Sequence, residues 1–518
     1  MTIDNLRLTS SDPSIVNRQS SIPTLHQNLT LALTEERVNI LVENDRVVAR
    51  GPDVSAPADV LRTDHAGQRI IPAFVDSHCH ILPTGLDLLK LHLGPAVTRD
   101  EVLDLVGERH REMPEGWLHA VHYDQNKYGD HLTRHDLDTI SPDRPILLRH
   151  VNGHASVANS AALLAAGVNR DTPDPTGGEY LRDVDGTPNG VLLEDAHEHV
   201  TNSAPGPVLE EMVEAILRAG ASMRAFGIDC ATDMMTGRWD LPMELEAYRL
   251  AAERGCQVDL RLSLQWRPTL GPRGISDEDL APYLRATNPK IIGVKLFADG
   301  AFGSATAAIY GQYSGAEPVG KPYTKRATPT GKPGTSGQLI YRPEKLNEMV
   351  QIAAERGFSI AVHAIGDYAV DLVLDAFEAT PDPAIHRLEH AMLLSDAQIE
   401  RIAKTGCRVS MQPEFLLKMG HVYRRQLGAE RTYHLKRARS VLDAGIPLTF
   451  SSDRPIVAGD PRDGIRAATN RPEGFDPAEN VTWKEAVRLY TIEGSKANGD
   501  GNLYGSLEPG SVAHWIAE

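Results

Sequence analysis

The sequence predicts an α/β protein built on a TIM-like (β/α)8 barrel. Three observations point there. Eight apolar runs of strand length follow one another along most of the chain. Segments with apolar residues at helical spacing lie between several of them. Polar residues able to bind metal recur near the same end of these runs. Strands apolar at nearly every position belong to parallel sheets covered on both faces. A doubly wound open sheet is the alternative, and no Gly-rich nucleotide loop follows the first strand to support it.

In chain order, residues 1–25 are polar and read as a loosely attached tail. Strand-like runs follow at 28–33, 38–43 and 46–50, the last two joined by a turn at Glu43, Asn44 and Asp45. The barrel runs are 69–77, 227–234, 258–266, 291–297, 358–364, 384–389, 408–412 and 446–451. Helices are expected at 207–225 and 343–356, the second closed by Gly357 as a C-terminal cap. A long insertion, 93–203, leaves the C-terminal end of the first strand, the active face of such barrels, and is expected to wall the site. It carries a helix at 99–112 and strand-like pieces at 117–122 and 145–151. A second excursion, 310–338, is rich in Gly, Pro, Thr and Lys, and a floppy surface loop and a lid are its two readings.

The 518 residues are 41% hydrophobic and 24% charged, as in a soluble globular protein. The net charge of −17 argues against nucleic acid or an anionic membrane as the partner. The expected partner is a small amide-type substrate, and a homo-oligomer is allowed. Cys79, Cys230, Cys256 and Cys407 form no CxxC pair, so a reducing compartment is the simpler assumption. With no secretory pattern at the N-terminus, the expected location is the cytoplasm.

The chemistry begins in RIIPAFVDSHCH, residues 69–80. Alternate strand residues share a face, so His78 and His80 can aim two imidazoles at one cation while Cys79 points into packing. Lys295, His363, His390 and Asp453 stand at the ends of the fourth, fifth, sixth and eighth runs. Each alone reads as a satisfied core residue; together, groups so costly to bury point to a metal site. An ammonium ion has no lone pair to give a metal. A lysine in an apolar strand favours its neutral form, which can add carbon dioxide to become an anionic carbamate able to bridge two cations. A Schiff-base lysine is the competing idea, and the surrounding histidines and aspartate favour the carbamate. The expected cofactor is a divalent metal, zinc by its donor set, one or two per chain. Water activated by it would attack an amide or N-substituted formamide carbonyl, with Asp453 moving the proton to the leaving nitrogen. Asn152, His154, Asp299, Gln412 and Arg454 are candidate substrate contacts. A cyclic amide hydrolase or ring deaminase is the alternative, and a non-catalytic relative would have lost some of these residues.

PAFVDSHCH, NGHASVANSAALLAAG, GGEYLRD, GVKLFADGAFGSATA, AVHAIGD, RLEH, FSSDRPI and GSLEPG occur in this order. With them the chain resembles amidohydrolase family 3, the branch with YtcJ-like and N-substituted formamide deformylase-like proteins. The resemblance implies a barrel over 73–499 and a small β-sandwich from 26–72 and 500–518. It also implies that His78, His80 and Asp453 hold one metal. A carboxylated Lys295 would bridge to a second metal on His363 and His390, making a binuclear centre. Two positions depart from the pattern. Ala73 replaces the glycine of the usual PGF, and His514 stands where an Asp is expected. The chain stops soon after, so the sandwich is expected to lack its last strands.

Overall fold

The computed structural model describes residues 22–113, 115–150, 155–175, 178–303, 305–313 and 336–518. The expectations for Asn152, His154, most of the 1–25 tail and most of the 310–338 excursion lie outside them. Contact clustering divides the chain into two compact units, whose described residues are 85–215 in one and 22–84 with 216–518 in the other.

The larger unit contains the eight predicted barrel strands. They are β1 (Phe74–Cys79), β2 (Ile228–Thr236), β3 (Asp259–Gln265), β4 (Lys290–Phe297), β5 (Ile360–Ala364), β6 (Arg387–His390), β7 (Arg408–Met411) and β8 (Leu448–Phe450). They form one parallel sheet in sequence order. The outer strands β1 and β8 meet through Ser77 Oγ and Thr449 Oγ1, 3.2 Å apart, and through the Asp453 N–H on the His78 carbonyl, so the barrel is nearly closed. Every residue of β1 and β6 is buried, which explains why these runs lack the alternation of a one-faced strand. Helices Leu209–Ala225 and Pro343–Glu355 fall where the periodicity places them. Gly357 closes the second at φ 76°, a left-handed conformation that suits a residue without Cβ. No described helix is long and apolar enough to cross a membrane.

Two sequence runs are divided differently from expectation. The run 69–77 serves two sheets: Arg69–Pro72 joins a separate small sheet, and β1 starts only after Ala73. The run 384–389 begins as a 3-10 turn, Pro383–Ile385, and becomes a strand only at Arg387.

The small sheet has six strands. Trp515–Ala517, Arg69–Pro72, Thr24–Leu31, Arg37–Glu43 and Arg46–Gly51 lie side by side, and Leu61–Asp64 pairs with Thr24–Leu31. Asn44 and Asp45 both take positive φ in the predicted tight turn, the conformation that matches the twist of a hairpin. Leu29, Ile40, Val47, Ile70, Leu507 and Trp515 are among the residues forming its core. His514 is buried, and its Nδ1 lies 2.7 Å from Asp229 Oδ2.

The smaller unit is a second six-stranded sheet of mixed direction. Its order is Gly178–Arg182, Pro188–Glu194, Ala155–Ala158, Ile146–His150, Leu118–Tyr123 and Leu91–His92. Ile146 and Leu148 pack into one apolar cluster and Leu147 into another, so this sheet is buried on both faces. The predicted helix Arg99–Glu112 starts with a capping box between Thr98 and Glu101.

Candidate metal centre

The barrel gathers the metal-binding candidates at the C-terminal ends of its strands. His78 is the fifth residue of six in β1, and His80 follows that strand. Lys295 is near the end of β4, His363 near the end of β5, and His390 ends β6. Asp453 follows β8, its N–H bound to the His78 carbonyl at 2.7 Å. Ligand atoms of His78, His80 and Asp453 all lie within 4.8 Å of one another, a spacing that can hold a cation. The imidazoles continue into a second cluster, with ring centroids 4.9 Å apart for His78 and His390 and 4.5 Å for His390 and His363.

Each of three imidazoles is held by its far nitrogen. His78 Nδ1 is 2.5 Å from Glu389 Oε2, and Arg387 Nε lies 2.9 Å from the other Glu389 oxygen. His363 Nε2 is 2.9 Å from the Gly300 carbonyl, which can only accept. His363 Nδ1 therefore carries the lone pair. His390 Nδ1 is 2.9 Å from Gln412 Oε1. His80 Nε2 is 2.9 Å from Asp453 Oδ1, and His78 Nε2 is 3.4 Å from the same oxygen.

Lys295 differs from its neighbours. Its side chain is 2% exposed, and its Nζ is buried with no hydrogen-bond partner. Burial pulls its amine down to about 8, against the opposing charges of Glu389 and Asp453. An amine so placed is neutral in a larger fraction of molecules than an ordinary lysine. Burial, with Lys295 second, lowers His363 to about 3, and burial also holds His390 well below its usual value. Both are therefore neutral imidazoles with a lone pair to offer. For Asp453, burial alone would raise the carboxyl. Hydrogen bonds from His78 and His80 outweigh it and keep the group ionised well below the usual carboxylate range.

The backbone is bent to present these groups. Asp453 at φ 59°, His390 at φ 72° and Ala391 at φ 41° lie in the left-handed region that non-glycine residues seldom adopt. Asp76 fastens the Asp453 loop, accepting from the Ser452 N–H at 3.0 Å and the Ser452 hydroxyl at 2.5 Å. Cys79 points away from the cluster as expected, its thiol donating to the Thr232 carbonyl at 3.2 Å.

Three candidate substrate contacts are engaged elsewhere in the protein. The Asp299 carboxylate accepts the backbone N–H groups of Ala308, Ile365 and Gly366, which makes it a loop fastener. Gln412 is fully buried behind His390 and also binds Ser451 and Lys436. Arg454 donates to Ser222 Oγ at 2.7 Å and lies over the Phe226 ring. Sequence reasoning missed Glu389 and Arg387. Their signal was present: opposite charges two residues apart in an apolar strand share a face, and such a pair survives burial only by pairing.

Comparisons with known proteins show the family. Residues 63–516 match the pattern described as the amidohydrolase family. The chain is 32% identical over 468 residues to the YtcJ protein of Bacillus subtilis (strain 168), covering 86% of this chain and 82% of that one. It is 29% identical over 511 residues to an N-substituted formamide deformylase of Arthrobacter pascens, covering 92% and 89%. Among solved structures, it superposes on an uncharacterized metal-dependent hydrolase from Pyrococcus furiosus with a TM-score of 0.78 and 27% identity. That match covers 96% of this chain and 99% of the other.

Proposed function

The chain belongs to the amidohydrolase family and is a metal-dependent hydrolase, and on that premise we propose that it cleaves non-peptide carbon–nitrogen bonds of amides or N-substituted formamides. The observation that carries this reading is the convergence of His78, His80 and Asp453 beside the unpartnered amine of Lys295. Similarity to the formamide deformylase supports the choice of substrate class.

His78, His80 and Asp453 would hold one divalent cation, zinc by their donor chemistry. Lys295 would add carbon dioxide at its neutral amine, forming an N–C bond and releasing a proton, to leave a carbamate with two ligand oxygens. With His363 and His390 it would hold a second cation. A cation in this cradle supplies Lewis acidity, which acidifies water and polarises a carbonyl. Asp453, ionised and facing both histidines, accepts the proton of the attacking water and hands it to the departing nitrogen. Glu389 and Gln412 keep their histidines oriented throughout.

The test is metal analysis of the purified protein, followed by a panel of formamides, linear amides and cyclic amides with and without chelator. Formate or another acid should be released only by metal-loaded protein. Ammonia from a ring substrate would replace this reading by a deaminase, and full activity after complete metal removal would end it. Lys295→Ala should lose activity sharply and regain part of it with added acetate or propionate. Unchanged activity and metal content in that variant would remove the carbamate.

A further inference from the structure

Lys436 lies between helices Glu414–Tyr433 and Ala438–Asp443, with its side chain 2% exposed. It makes no ion pair among the described residues. Its Nζ donates to Gln412 Oε1 at 3.1 Å and stands 5.1 Å from the centroid of the Phe415 ring. Burial pulls this amine down to about 7, against the charge of Asp453, so its ammonium form is costly and the fold has to insist on it. It does so through the backbone. Lys436 sits at φ 51°, with its N–H on the Met392 carbonyl at 2.7 Å and its own carbonyl accepting from Arg471 at 2.9 Å.

The consequence reaches His390 through Gln412. An amide has nearly the same shape with its oxygen and nitrogen exchanged, so its partners must choose between the two orientations. At one end Gln412 meets Ser451 Oγ at 3.0 Å, and that hydroxyl also faces Ser410 Oγ. The same hydroxyl faces the Met411 carbonyl at 3.5 Å, which can only accept, and this leaves it a weak preference to accept from the amide nitrogen. At the other end stand His390 Nδ1, whose role depends on its tautomer, and Lys436, whose ammonium can only donate. Lys436, as the ammonium, favours the same orientation from the opposite end and at shorter range than the Met411 contact. It draws the amide oxygen towards itself, and the same oxygen then requires a proton on His390 Nδ1.

We propose that Lys436 is a positioning residue for the hydrolytic site: it orients the Gln412 amide and thereby fixes the tautomer in which His390 offers its Nε2 lone pair to the centre. The inference rests on the metal-dependent reading above. It also explains an asymmetry between two histidines of the cluster. His78 leans on Glu389, a carboxylate that accepts in any orientation. His390 leans on an amide that needs a second group to tell it which way to face.

Two measurements test this. In metal-free protein labelled with 15N-histidine, the His390 signals, identified by their loss in His390→Gln, should report a proton on Nδ1. In Lys436→Met they should shift towards a mixture of tautomers. Zinc affinity, read by competition with a chromogenic chelator, should fall about 10–100-fold in Lys436→Met, the scale for losing an outer partner of a ligand. Lys436→Met/Gln412→Glu should recover most of that loss, because a carboxylate accepts whichever way it turns. A role in packing alone would not be rescued in this way.

Wild-type zinc affinity in Lys436→Met, no recovery in a folded double variant, or an Nε2 proton on His390 in the wild type would each overturn the proposal. If Lys436→Met does not fold, the wild-type tautomer decides. Wild-type protein that binds no zinc would defeat the metal-dependent reading, while the tautomer shift would still judge the role of Lys436.

Discussion

Arg261 on β3 and Lys295 on β4 are cations on adjacent strands of one barrel, each 2% exposed. They are treated in opposite ways. Arg261, near the N-terminal end of its strand, donates to Asp500 at 2.7 Å and to the Tyr504 hydroxyl at 3.0 Å. Asp500 also accepts from Lys290 at 2.8 Å, and Tyr504 donates to Asp259 at 2.6 Å. Lys295, near the C-terminal end, has no hydrogen-bond partner for its Nζ. One end of the barrel is closed by matched charges, and the other leaves donors and acceptors open to something from outside. Stability and chemistry are therefore assigned to opposite ends of the same strands.

Substitutions at the two ends should separate these roles. The largest effect is expected at the open end. Asp453→Asn should lower kcat by about 10²–10⁴-fold, the usual contribution of a general acid–base group. Its thermal midpoint should fall by less than that of Arg261→Met. A collapse in stability with turnover preserved would reverse the assignment. At the closed end Arg261→Met should leave kcat per folded molecule unchanged. Breaking a buried pair costs about 3–5 kcal/mol, and Lys290, still facing Asp500, should keep the loss near the lower figure. Urea unfolding measures it, and lost turnover at full stability would dissolve the comparison.

The smallest effect belongs to the small sheet, away from both ends. Burial, helped by His65, lowers His26 from 6.5 to about 4. The unfolded chain takes up this proton more readily than the fold. The stability from neutral His26 is therefore complete above pH 6.5 and drains away as pH falls towards 4. His26→Phe should flatten the decline of Tm over that window by a few degrees, and an unchanged profile would remove His26 from the account.

The two ends were not equally legible in the sequence. The open end could be read because His78, His80, Lys295, His363, His390 and Asp453 interrupt apolar strands at matching places. Its supports were harder to see. Glu389 shows only as half of a charge pair with Arg387 inside a strand, and Lys436 lies in a connection between helices with no periodicity that marks it as buried. The positive φ of Asp453 and His390 has no signature in residue type, since neither is glycine. The closed end was missed because Arg261 pairs with Asp500, a residue far along the chain whose proximity depends on the completed barrel. Barrel strands were legible because burial on both faces makes them continuously apolar. The run 384–389 misled because Ile385, apolar by type, is an exposed turn residue at 41%. In the smaller unit, pieces at 117–122 and 145–151 foretold two strands of six. Leu91–His92 and Ala155–Ala158 are too short to show a pattern, and Pro188–Glu194, though seven residues long, opens on a proline and a glycine that read as a turn.

The division of the run 69–79 between two sheets also sets a timetable for synthesis. Arg69–Pro72 is made early, with β1 directly behind it, yet one of its two neighbours in the small sheet is Trp515–Ala517. The roughly 440 residues between Pro72 and Trp515, at about 5–20 residues per second, take on the order of a minute to emerge from the ribosome. Through that interval Ile70 and Ile71 present an open strand edge, the kind of surface on which nascent chains pair with the wrong partner. The barrel can begin to assemble during this minute, but the sheet beside it is closed only by residues translated after all eight barrel strands.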